Sequence, residues 1–154
     1  MSNRAIAPVV GVAVLVAITV ILSATVWAFT AGMAPTGPAP SAVFEGSIDV
    51  ENREITLRHV GGDELHMEAV GVVVSVNDDP LDEQPPVPFF AAAGFVSGPT
   101  GPFNPAATDT WGAGEAGSFR LASTNGPIPV RNDTVSVRIA YEGEPIASID
   151  LEHR

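Results

Sequence analysis

Four carboxylates fall within six positions of this sequence: Asp78, Asp79, Asp82 and Glu83. Clustered carboxylate oxygens are what hard cations such as calcium take as ligands. The run has neither the ligand spacing nor the central glycine of an EF-hand loop. It therefore reads as a solvated acidic loop, and no metal is expected there. The three histidines, His59, His66 and His153, are the other metal-ligating candidates. His59 and His66 flank Gly61-Gly62, where a hairpin turn would bring them across from one another. No HExxH or comparable spacing is present, so surface or capping roles are expected rather than zinc or copper binding. With no cysteine, disulfides, thiol catalysis and cysteine-held clusters are excluded. Nucleophile elbow, SxxK, phosphate-loop and dinucleotide glycine motifs are all absent. No catalytic residue and no cofactor is predicted, and an enzyme is not expected. Asn132-Asp133-Thr134 is the one N-glycosylation sequon in the chain, which makes Asn132 a candidate saccharide acceptor.

The elements that carry these residues follow from charge and hydropathy. The chain has 154 residues and a formal net charge of −11, with no lysine among its seven basic residues. Arg4 is the only charge before Glu45, so the remainder carries six arginines against eighteen acids, a balance of −12. Such a surface repels nucleic acid and anionic lipid heads, and nucleic-acid partners are excluded on that ground. Acidity without lysine also fits a halophilic protein whose self-repulsion is screened by salt.

From Ala5 to Phe44 no residue is charged. Residues 9–31 are its apolar heart and, as a helix, span about 34 Å, enough to cross a hydrocarbon core of about 30 Å. Trp27 and Phe29 lie towards one end, where aromatic rings favour a membrane interface, and Arg4 lies beyond the other. The positive-inside rule places the Arg4 end in the cytoplasm and the acidic bulk outside. Pro8 suits the first turn of a helix, where its missing N–H has no partner to lose. Small residues recur four apart: Ala7 and Gly11, Ala13 and Ala17, Thr19 and Ser23, and Ala24, Ala28 and Gly32. That spacing puts each set on one helix face and lets another helix approach closely. Three readings of the segment stand open. It is a cleaved export signal, a plain single-pass anchor, or a helix that anchors first and later packs against copies of itself.

The order Arg4-Ala5-Ile6-Ala7-Pro8-Val9-Val10-Gly11-Val12, continued by residues 16–24 (VAITVILSA), closely resembles the N-terminal segment of archaeal type IV pilins, haloarchaeal ones above all. Ile55-Thr56-Leu57-Arg58-His59-Val60-Gly61-Gly62-Asp63 is more loosely similar to a strand-turn pattern of their head domains. The resemblance favours the third reading. It implies a short leader over residues 1–5, cut by a prepilin peptidase between Ala5 and Ile6 on the cytoplasmic side. It implies an assembly ATPase and a membrane platform as partners, a homopolymer held through the N-terminal helix, and a surface filament used in adhesion or biofilm formation. Bacterial type IV pilins carry a glutamate near the start of the mature helix. This helix has none, so apolar and small-residue packing must suffice. The alternative is a singly anchored extracellular binding domain that never polymerises.

Beyond the helix, here assigned to residues 6–33, residues 34–41 form a Pro/Gly linker that stops the helix and holds an extended connector. Residues 42–154 read as one acidic β-rich head. Phe44, Gly46, Ile48 and Val50 alternate with mostly polar neighbours, as do Ile55 and Leu57. Residues 70–76 (VGVVVSV) are nearly continuous in apolar character and predict a more buried strand. Val135, Val137, Ile139 and Tyr141 alternate, and a turn at Glu142-Gly143 leads into Ala147, Ile149 and Leu151 as a terminal hairpin. Residues 77–88 and 97–113 read as surface loops. Phe89, Phe90, Phe95, Phe103 and Trp111 close one end of the core or, alternatively, form an exposed patch. The fold class is α+β, a long hydrophobic N-terminal helix followed by a small sandwich-like β domain.

Overall fold

A computed structural model describes residues 6–31 and 38–154. The chain divides into two compact units, the helix-bearing N-terminal segment and a domain over Pro38–Arg154. In the first, a single helix α1 runs over Ile6–Ala31. Pro8 lies near the start of its described stretch. The expected leader, residues 1–5, the expected end of the helix at residues 32–33 and the first part of the expected linker, residues 34–37, lie outside the described residues.

The second unit is built from short strands: β1 (Ala42–Asp49), β2 (Glu54–Gly62), β3 (Leu65–His66), β4 (Val70–Val76), β5 (Asp79–Pro80), β6 (Phe95–Val96), β7 (Thr110–Trp111), β8 (Ala116–Leu121), β9 (Val135–Tyr141), β10 (Glu144–Asp150) and β11 (Glu152–His153). One sheet has the order β11-β1-β2-β8-β6, a second the order β10-β9-β4-β5, and β3 pairs with β7 alone. Alternating side chains from both larger sheets enter a single core. Ile48, Ile55 and Phe119 stand in register across β1, β2 and β8, and Val72, Val74, Val137 and Ile139 come from β4 and β9. The next inward row is Gly46, Leu57 and Gly117. A Cβ on Gly46 would strike Leu151, and one on Gly117 would come within 2.7 Å of Phe103. The two glycines thus make room for large side chains that arrive from elsewhere in the chain.

Most predicted strands are present, and three details differ. Strand β4 is not buried on both sides: Val70, Val72, Val74 and Val76 point inward, while Gly71 and Val73 are exposed. Its apolar run is a half-buried strand with an apolar outer face. Strand β8 was not legible in the pattern, because its buried residues include Gly117 and Ser118. Gly117 lies under Phe103, and Thr100 bonds Ser118 through its backbone and its hydroxyl. Gly61-Gly62 is not a hairpin turn, for β2 pairs with β1 and β8 while β3 pairs with β7. The terminal hairpin is as expected. Glu142 and Gly143 take φ of 51° and 85°, the positive pair that a two-residue turn between twisted strands requires. The chain then passes between the sheets at buried Leu151, whose N–H donates to Val135 O at 2.8 Å. Strand β11 ends beside β1, in parallel, with the Arg154 N–H donating to Ile48 O at 3.0 Å.

Candidate functional site

The largest chemically distinctive surface is α1 itself. Every described side chain from Ala7 to Phe29 is exposed, and Trp27 and Phe29 are 74% and 80% exposed. The span Ala7–Phe29 is long and apolar enough to cross a membrane. Among the described side chains, its three hydroxyls do not face outward as free donors. Thr19 Oγ1 donates to Leu15 O at 2.7 Å, Ser23 Oγ to Thr19 O at 2.7 Å and Thr25 Oγ1 to Leu22 O at 2.8 Å. Such back-bonding satisfies a hydroxyl within its own helix, as an apolar surrounding requires.

Helical periodicity sorts the small residues further. At about 100° per residue, Ala13, Ala17, Ala24 and Ala28 fall within about 60° of one another. Ala7 lies about 60° and Gly11 about 100° beyond one edge of that stripe, outside it, and the Thr19–Ser23 pair lies on the far side of the helix. The small positions therefore make one alanine face and one hydroxyl face, not a single seam.

In the head, the sequence candidates are dispersed. Asp78, Asp79, Asp82 and Glu83 are all exposed, as expected of a solvated loop. Among the described residues no group of three or more His, Asp or Glu could share a metal ion. The loop is nevertheless tied down. Asp82 N–H donates to Gly126 O at 2.6 Å, and Asn125 accepts the Glu83 N–H through Oδ1 at 2.9 Å while donating to Glu83 O through Nδ2 at 2.9 Å. Gln84 does the same on β4, accepting Val74 N–H at 2.8 Å and donating to Val74 O at 3.0 Å. Each side-chain amide stands in for the peptide group of an absent strand.

His59 corrects the surface expectation. It is fully buried, stacked on Phe44 at 5.0 Å between ring centroids. Nδ1 lies 3.0 Å from Trp111 O and Nε2 3.0 Å from Gly61 O. Each ring nitrogen thus lies within hydrogen-bond distance of a backbone carbonyl, which fixes the orientation of the ring. His66 is exposed, and His153 lies at the surface with Nε2 2.7 Å from Asp133 O. The three histidines do not converge. Of the five aromatics, Phe89, Phe95, Phe103 and Trp111 are buried, and their rings run in contact through Phe119. Only Phe90, 60% exposed, remains of the surface patch.

Asn132 is exposed at the tip of a turn, with φ of 73°. Beside it, Asp133 is held below the usual aspartate value by the Val130 N–H, then by the Asn77 amide, with His153 adding attraction. Asp49 is likewise lowered, by the side-chain amide of Asn52 and then by its backbone N–H. Both carboxylates cap turns and face no cleft.

No protein-family model matches the chain. Over 81 residues it is 35% identical to an uncharacterised protein of Archaeoglobus fulgidus, covering 51% of this chain and 57% of that relative. The match thus spans little more than half the length of the archaeal protein.

Proposed function

We propose that this protein is a type IV pilin-like structural subunit: α1 anchors the precursor in a membrane and then forms the shaft of a filament, with the acidic β domain outside. The observation that carries this reading is a helix that is apolar on all sides, exposed from Ala7 to Phe29 and satisfied within itself in the hydroxyls of Thr19, Ser23 and Thr25. It belongs to a chain whose other unit already has a complete core of its own. Such a helix needs an apolar surrounding, either lipid or sister helices. The alanine face offers close approach between helices, and similarity to an archaeal protein is in keeping with the N-terminal resemblance. Adhesion or biofilm formation is the role such a filament would serve, with a prepilin peptidase, an assembly ATPase and a membrane platform as its partners.

The test is the mass of the mature N-terminus in material sheared from the cell surface. We expect a chain that begins at Ile6, retains α1 and is recovered in filaments. A product that begins beyond residue 31 overturns the reading. A membrane-bound monomer with residues 1–5 intact points to the singly anchored binding domain instead.

A further inference from the structure

Asn132 opens the only Asn-x-Ser/Thr tripeptide in the chain, and that motif alone is short enough to recur by chance. The structure adds an independent observation. Every other described asparagine commits its carboxamide: Asn52 to Asp49, Asn77 to Asp133 and Thr134, Asn104 to Ala106, and Asn125 to Glu83. The Asn132 carboxamide is exposed and takes part in no hydrogen bond among the described residues. The same holds for the hydroxyl of Thr134, the third residue of the motif.

The backbone around them is fixed. The turn over residues 130–133 is closed by the Asp133 N–H donating to Val130 O at 3.1 Å, and Val130 N–H donates back to Asp133 Oδ2 at 2.8 Å. Asn77 braces the other side, donating to Asp133 Oδ1 at 2.8 Å and accepting the Thr134 N–H at 3.0 Å. Asn132 sits third in this turn with positive φ, a place that favours Asn or Gly. That preference accounts for an asparagine there, but not for an uncommitted threonine two residues on.

We propose that Asn132 is an N-glycosylation site that takes an oligosaccharide from a lipid-phosphate-linked donor. A bond forms between Nδ2 and the anomeric carbon, and the bond from that carbon to the phosphate oxygen breaks. The lipid phosphate leaves, and Nδ2 gives up one proton to solvent. Beside Asn132 lies a shallow recess of about 400 Å³ that Arg131, His153 and Arg154 help to line. Their N–H groups can donate to the hydroxyls of the first sugars. The modification requires the head to be exported, so it rests on the outward placement proposed above.

The test is mass spectrometry of the full chain from its native source. Cleavage after arginine releases residues 132–138, or residues 121–138 where the sugar hinders the cut at Arg131. The expected peptide carries a saccharide mass that disappears in Thr134→Ala and in Asn132→Gly and returns in Thr134→Ser. Glycine accepts the positive φ at position 132, so an unchanged unfolding midpoint identifies that variant as folded. Unmodified Asn132 on a head that protease digests on intact cells overturns the site and leaves export standing. Unmodified Asn132 on a head protected in intact cells overturns both.

Discussion

Asn125 and Gln84 fasten the acidic loop by using side-chain amides as peptide groups. Asn125 is 1% exposed and meets both the N–H and the C=O of Glu83. Asn125→Ala leaves those groups unpaired, with an expected loss of about 2 kcal/mol in urea unfolding; a change within experimental error would show that water replaces the amide without cost. Asp133 and Asp49 bring a pH dependence. Their folded values lie below the ordinary 3.8, so each contributes stability that is fully present above that value and is lost as pH falls through the lower folded one. Asp133→Asn should therefore be less stable than the parent at pH 7, with the gap narrowing as pH falls below 3.8. A gap that stays constant across that range contradicts the assignment. Residue roles of this kind were only partly legible in the sequence. The acidic loop could be read, because four clustered carboxylates have no reason to leave water. The burial of His59 could not, because one of its carbonyl partners, that of Trp111, arrives from a distant strand.

Among the elements, α1 and the β9–β10 hairpin were the most legible. The helix announces itself by an uncharged run, and the hairpin by Glu142-Gly143 between alternating strands. Strand β8 was hidden, since glycine and serine give no hydropathy signal even where packing buries them. In β4, four inward valines and one outward valine look alike until the sheet assigns their sides. The division of the helix into an alanine face and a hydroxyl face yields a prediction at this scale. Ala17→Leu or Ala24→Leu should weaken helix association by about 1–2 kcal/mol, roughly tenfold, while the protein stays in the membrane fraction. Thr19→Val should change neither, because the Thr19 hydroxyl already bonds its own helix. Filament yield set against membrane recovery measures both, and equal effects at the two faces would dissolve the distinction.

For the whole molecule, charge is the governing quantity. Against a net charge of −11, the described residues hold one salt bridge, Arg131 to Glu51 at 2.8 Å, with both side chains largely exposed. Exposed pairs contribute little, so the self-repulsion of the head is relieved mainly by dissolved ions. At about 1 M salt the screening length falls to about 3 Å. The unfolding midpoint should climb steeply from low to molar potassium chloride, and a flat response would refute a salt-adapted surface. The position of β1 has a mechanical consequence. The chain enters the head at the start of this strand, which is flanked by β2 along its length and by β11 at its far half. A pull applied along the strand axis loads those backbone bonds together, in shear, instead of peeling them one after another. Stretching single molecules from the N-terminal side should therefore meet one high rupture force, and trimming residues 152–154 should lower it.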